Sequence, residues 1–188
     1  SAEHEAGDID VVIQEDKFEG FYRTMAKGVN DMVKGHINVK KKAMACITEF
    51  GKGNFHAELE KFPGKKAFIN DTIEAVRNNL IKFNDELDLL IKATTDGELK
   101  KRADTEQFTG DWKVMVNGVN KTLDSILLPI GEGNRVLRLI KGGDLRERVE
   151  IDCKGDHQSM KDAVNGVHSW LKELIEYVTR IANGDMTA

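Results

Sequence analysis

Ile69-Asn70-Asp71-Thr72-Ile73-Glu74-Ala75-Val76-Arg77-Asn78-Asn79-Leu80-Ile81-Lys82-Phe83-Asn84-Asp85-Glu86-Leu87-Asp88-Leu89-Leu90 decides the fold. Its apolar residues Ile69, Ile73, Val76, Leu80, Phe83, Leu87 and Leu90 step alternately by four and three. A mean step of about 3.5 is the seam of a supercoiled helix, narrower than the stripe of a helix lying on a globular core. The same run recurs at Met160, Val164, Val167, Leu171, Leu174, Val178 and Ile181. It recurs again, with weakly polar members, at Met25, Val29, Met32, His36, Val39, Ala43, Cys46 and Phe50. A fourth stretch is less regular: Met115 and Val119 lead to Leu123, Ile126 and Ile130, and Val136 to Ile140 resume after Pro129, Gly131 and Gly133. Proline inside a helix removes a backbone hydrogen bond, so a kink or junction is expected there.

Working outward, each seam is followed by a glycine, a polar residue and an apolar one. The landmarks are Gly7-Asp8-Ile9, Gly53-Asn54-Phe55, Gly97-Glu98-Leu99, Gly143-Asp144-Leu145 and Gly184-Asp185-Met186, spaced 46, 44, 46 and 41 residues apart. Self-similarity at such a period marks an array of one supersecondary unit. Second landmarks follow at Phe18-Glu19-Gly20, Phe62-Pro63-Gly64 and Phe108-Thr109-Gly110, each 33 residues before the next glycine landmark. Third come Gly28-Val29-Asn30, Gly118-Val119-Asn120 and Gly166-Val167, with Thr72-Ile73 in the second unit. Gly118 to Gly143 is 25 residues and Gly166 to Gly184 is 18, which reads as the deletion of one heptad from the last unit.

Between the first and second landmarks helical periodicity is lost, but two apolar positions four apart remain: Ile9 with Ile13, Phe55 with Leu59, Leu99 with Ala103, and Leu145 with Val149. Glycine at each opening ends a helix in the left-handed conformation, and the apolar pair then tacks an extended connector onto the bundle. A connector of about a dozen extended residues reaches roughly 40 Å. That exceeds the roughly 24 Å of a 16-residue helix, so the two helices of a unit can run parallel. Two parallel helices bury too little alone, and a second copy of the chain is expected to close a four-helix bundle. The expected seam is Met25, Val29, Met32, Ile69, Ile73, Val76, Leu80, Met115, Val119, Met160, Val164, Val167, Leu171 and Leu174. The fold class is thus all-α: tandem parallel four-helix coiled-coil bundles with extended connectors. The units fall at 1–36 (connector and second helix only), 37–82, 83–127, 128–175 and 176–188, the last being the start of a following module.

Composition agrees with long solvated helices. In 188 residues 32% are charged and 6% aromatic, with two prolines. The net charge of −4 gives no reason to expect nucleic-acid binding, and Lys40-Lys41-Lys42 reads as a solvated face. Cys46 and Cys153 sit in non-equivalent parts of the repeat and imply no disulfide framework. No apolar run reaches the roughly 18–20 residues of a membrane span, and no signal-peptide pattern is present. The segment is read as cytosolic, without direct membrane contact.

No chemistry-bearing constellation emerges. Cys153 and His157 lack a second ligand pair, so no metal site is assigned. His36 falls on the seam and reads as a satisfied or partly exposed histidine. Phosphate-gripping glycine loops and haem motifs are absent, Gly131-Glu132-Gly133 fits a junction better than a nucleotide loop, and Trp112 and Trp170 read as packing or rim residues. No catalytic residue and no cofactor is assigned.

Helix, glycine-acid-apolar connector, helix is the organisation of the HAMP domain, and the chain resembles a tandem array of them over nearly its whole length. Phe62-Pro63-Gly64-Lys65-Lys66-Ala67-Phe68-Ile69-Asn70-Asp71-Thr72-Ile73-Glu74 is similar to the divergent HAMP repeats of bacterial methyl-accepting chemotaxis proteins. So are Val116 to Asp124 and Tyr177 to Met186. The resemblance implies a parallel homodimer without enzymatic activity, relaying conformational signals from an upstream sensor to a kinase-controlling output of the same chain. It further implies the cytoplasmic part of an inner-membrane receptor, with Gly53, Gly97 and Gly143 opening connectors whose Phe55, Leu59, Leu99, Ala103, Leu145 and Val149 pack on the bundles. Two features depart from the family pattern. A proline early in the first helix is matched only by Pro129, and the acidic start of the second helix, present at Glu19, is Pro63 in the next unit. Alternative registers, Val33, Ile37, Met44 and Ile47 beside Met32, His36, Ala43 and Cys46, offer two packings of the kind a relay needs. The rival reading is a passive coiled-coil spacer in a histidine kinase or scaffold. Costly glycine-led interruptions argue against it.

Overall fold

Glycines with positive φ bound every long helix of the chain. The computed structural model describes residues 2–184. A single turn, α1 (Ala2–Glu5), precedes four long helices: α2 (Gly20–Gly51), α3 (Ala67–Thr95), α4 (Gly110–Lys141) and α5 (Asp156–Ala182). Short 3₁₀ turns at Glu15–Lys17 and Gly64–Lys66 lead into α2 and α3. The rest of each link is extended chain, and no strand occurs among the described residues. Of the last glycine landmark, Gly184 is described, while Asp185 and Met186 lie outside the described residues.

Helix endings repeat one hydrogen-bond pattern. After α2, Gly53 N–H donates to Phe50 O and Asn54 N–H to Glu49 O; after α4, Gly143 N–H donates to Ile140 O and Asp144 N–H to Leu139 O. The same pair of bonds follows α3 at Gly97 and Glu98, and α1 at Gly7 and Asp8. This is the Schellman motif, which satisfies the last carbonyls only if the closing residue is left-handed. The φ of Gly7, Gly53, Gly97 and Gly143 lies between 79° and 100°. The glycine landmarks are therefore helix stops, as their sequence context predicts.

A second set of left-handed glycines opens the helices: Gly20, Gly64, Gly110 and Gly155, with φ between 53° and 58°. Gly155 is the fourth member of a landmark read only three times in the sequence. Cys153 stands where Phe18, Phe62 and Phe108 stand in the other links, and so hides it. Counting from Gly155 corrects the length reading. Gly20 to Gly53, Gly64 to Gly97 and Gly110 to Gly143 are each 33 residues, whereas Gly155 to Gly184 is 29. The last stretch is shorter by four residues rather than seven, because Gly166 is not the counterpart of Gly118.

The chain divides into two compact units, residues 1–86 and 87–188. In the first, Ala43, Cys46, Phe50 and Ile73 form a core joined by Ile47, Phe55, Ala57, Leu59, Ile69 and Leu80. The link returns along α3, from Phe55 beside Arg77 to Phe62 beside Asn70, so the C-terminal part of α2 and the N-terminal part of α3 run parallel. In the second unit Val136, Val149 and Val164 form a core with Ile140 and Ile151. Gly133 lies against Met160 and Val164, while Leu145, just past the end of α4, lies against His168. Hence α4 and α5 are parallel too, with an antiparallel strap between them.

Of the kink or junction expected at Pro129, a junction is not found. α4 runs unbroken from Gly110 to Lys141 with Pro129 inside it. Pro129, Gly133 and Val136 are all buried, a face given to packing rather than to a break. A Cβ on Gly133 would sit 3.5 Å from Met160 Cε, so this glycine marks close helix approach.

Candidate functional site: the connectors and their anchors

Each connector lies against the helix it precedes and is tied to it by side chains of that helix. Asn30, ten residues after Gly20, accepts from Ile13 N–H at 2.9 Å and donates to Ile13 O at 2.9 Å. Asn120, ten after Gly110, makes the same two bonds with Ala103 at 2.9 Å each. Asn165, ten after Gly155, holds Val149 at 2.9 and 3.0 Å. A carboxamide is the one neutral side chain that offers a donor and an acceptor at the spacing of a peptide group's own pair. It substitutes here for the strand that an extended segment otherwise requires. Ala103 and Val149 are buried by it, whereas Ile13 stays exposed.

The second connector departs from this pattern. Glu74 occupies the tenth position after Gly64. Asn70, one turn earlier, accepts from Phe62 N–H at 2.9 Å and donates to Glu60 O at 2.8 Å. One turn later, buried Arg77 donates from Nη1 to Phe55 O at 2.6 Å and from Nη2 to Cys46 Sγ at 3.4 Å. Its Nε meets Glu74 at 2.9 Å, and its guanidinium lies 4.9 Å from the centre of the Phe50 ring. One side chain thus braces α2, the connector and α3 together. Sequence reasoning passed over Arg77 because it sits off the heptad seam in a charged stretch.

His168 does similar work in the last connector. It is 4% exposed, its Nε2 lies 2.9 Å from Leu145 O, and its Nδ1 has no hydrogen-bond partner among the described residues. Facing a carbonyl, Nε2 carries the proton. Near the opening of the same strap, Asp144 accepts from the backbone and guanidinium of Arg146, chiefly the latter, which holds its pKa down to about 2.

The other sequence-singled residues distribute as follows. Phe55 and Leu59 pack on the first core and Val149 belongs to the second, while Ile9 and Leu99 are exposed. Of the expected seam, Ile73 and Val164 are buried within the chain. Ile69, Leu80, Val119, Met160 and Leu171 are half-buried, and Met25, Val29, Met32, Val76, Met115, Val167 and Leu174 are exposed. Lys41 pairs with Asp10 and Lys42 with Glu60, so the basic run ties α2 to connectors. Both thiols are free, Cys46 buried and Cys153 half-buried.

Parallel helices joined by an antiparallel, glycine-opened strap, repeated along one chain, define a class of helical bundle module. Residues 39–81 match the family model described as HAMP N-terminal domain 3, and residues 107–173 match the HAMP domain. These two segments are HAMP domains, in tandem along the chain. The chain is similar to the methyl-accepting chemotaxis protein McpB of Pseudomonas aeruginosa strain PAO1, with 45% identity over 80 residues. That match covers 43% of this chain and 12% of the relative. No helix among the described residues is long and apolar enough to cross a membrane.

Proposed function

We propose that this chain is the signal-relay segment of a chemoreceptor-type transducer. It acts as a parallel homodimer that passes conformational change along its bundles to a kinase-controlling output of the same chain, on the cytoplasmic side of an anchored receptor. The modules are those delimited at 37–82, 83–127 and 128–175, flanked by partial ones. The single observation that carries the reading is the unpartnered apolar stripe of Met25, Val29 and Met32, with Val76, Met115, Val167 and Leu174 on later helices, all exposed in the isolated chain. Residues of a heptad seam left open to water call for a second seam of the same kind. The similarity to a chemotaxis protein supports the rest.

Cysteines introduced singly at Val29 and Val167, with Cys46 and Cys153 replaced by alanine, test the dimer. Disulfide formation between like positions is expected; linkage only in mixed or lattice-like products counts against parallel bundles. Placed between a sensor and an output of known behaviour, the segment is expected to transmit, and Gly97→Ala to alter its response. An unchanged response in that variant favours a passive spacer.

A further inference from the structure

The carbonyl two residues after a connector glycine meets a buried side-chain donor at two of the four openings, and the difference follows one position. Thirteen residues after the helix-opening glycines Gly64 and Gly155 stand Arg77 and His168. Both are buried, and both reach that carbonyl, Phe55 O and Leu145 O respectively. Thirteen residues after Gly20 and Gly110 stand Val33 and Leu123, which carry no donor. There the connector is held by more exposed groups, with half-buried His4 also placing its Nε2 2.8 Å from Val11 O in the first connector. Arg102, itself in the third connector, donates to Leu99 O at 2.8 Å and bridges to Asp124 of α4 at 2.6 Å; Lys41 pairs with Asp10 at 3.0 Å. Exposure follows the same division: Ile9 and Leu99 are 43% and 42% exposed, whereas Phe55 and Leu145 are half-buried.

We propose that this thirteenth residue is the anchor of the connector, with Arg77 and His168 fixing the second and fourth openings from the buried side. The first and third openings lack such a buried donor and are the compliant ones; the fourth opening also carries exposed ion pairs, Arg146 with Asp144 and Arg135 with Glu147, but His168 holds its carbonyl in addition. Exposed pairs weaken with ionic strength, while a buried donor to a carbonyl is screened far less. The three Asn clamps lie further along the straps and hold their middles in either case. The inference gives the relay reading a local mechanism and rests on it for meaning: movement enters at compliant openings and is carried unchanged past anchored ones.

Residue-resolved amide exchange on the whole chain tests it without any signalling readout, so its failure is separable from failure of the relay reading. On raising salt from about 0.05 M to about 1 M, where the Debye length falls to about 3 Å, exchange of residues 8–12 and 98–102 is expected to accelerate severalfold. Residues 54–58 and 144–148 are expected to hold steady. Arg77→Met, which keeps the aliphatic contact with Phe50, should speed exchange at 54–58 about tenfold, the loss of one buried charge-assisted bond. His168→Leu should do the same at 144–148, and His168→Gln, which keeps a donor near Nε2, should restore the slow rate. Equal salt sensitivity at all four openings overturns the proposal, as does unchanged exchange in both Arg77→Met and His168→Leu. The salt series needs no variant, so a misfolded substitution cannot mask the answer.

Discussion

Asn120 and Asn165 illustrate how one side chain fixes an extended segment that has no strand to pair with. Replacing either with leucine leaves a backbone N–H and C=O without partners at a buried position. Each unmade bond in such a place costs on the order of 1–3 kcal/mol. Asn120→Leu and Asn165→Leu are each expected to lower the urea midpoint by an amount corresponding to about 2 kcal/mol. An alanine at exposed Asn54 serves as the near-neutral control. Asp144 offers a second check at this scale. Its pKa is depressed to about 2, so whatever its carboxylate contributes is fully present above the ordinary aspartate value. That contribution fades only as pH falls from about 4 toward about 2. Carboxyl-carbon NMR titration should show Asp144 still ionised at pH 3, and Arg146→Gln should return it to the usual range.

At the scale of the element, the helix stops were legible in the sequence because they rest on a local steric rule. A helix that must turn into a strap needs one left-handed residue, and glycine adopts that conformation without strain. Gly97→Ala is expected to cost about 1 kcal/mol. No atom lies within 4 Å of the added Cβ, so the whole cost is backbone; Gly97→Asn should recover part of it, as measured by thermal unfolding. The anchors were not legible for the opposite reason. Arg77 and His168 act through contacts with connector residues 22 and 23 positions earlier, and nothing in their own neighbourhood distinguishes them from solvated polar residues. A break at Pro129 does not occur: the residue lies on the packed face of α4 and the helix continues past it. Gly155 was missed because the landmark was read through the aromatic two residues before it, and Cys153 fills that place.

For the whole molecule, the seams matter more than any one strap. The chain repeats a heptad pattern whose outward members are apolar, and a monomer keeps them in water. Association with a second copy should make the unfolding temperature rise with chain concentration, as mass action requires of a folded dimer. Thermal scans over about a hundredfold range of concentration measure this directly; a constant midpoint argues against obligate pairing. Which residues of a seam its own chain covers is not written in the periodicity, because Ile73 and Val164 belong to the same heptad runs as Val76 and Val167 yet are buried within the chain. Heptads identify the stripe; the strap decides which of its residues its own chain covers.

The shortened final stretch carries a geometric consequence. From helix-opening to helix-closing glycine, α5 is four residues shorter than α4. Four residues of α-helix advance about 6 Å and turn about 400°. The closing glycine of α5 therefore stands about 6 Å nearer its opening than that of α4 does and about 40° less far round the axis. Gly184 therefore closes its helix at a different compass bearing from Gly143, each measured from its own opening glycine. The spacing of opening and closing glycines is thus uniform over α2, α3 and α4 and changes phase at α5.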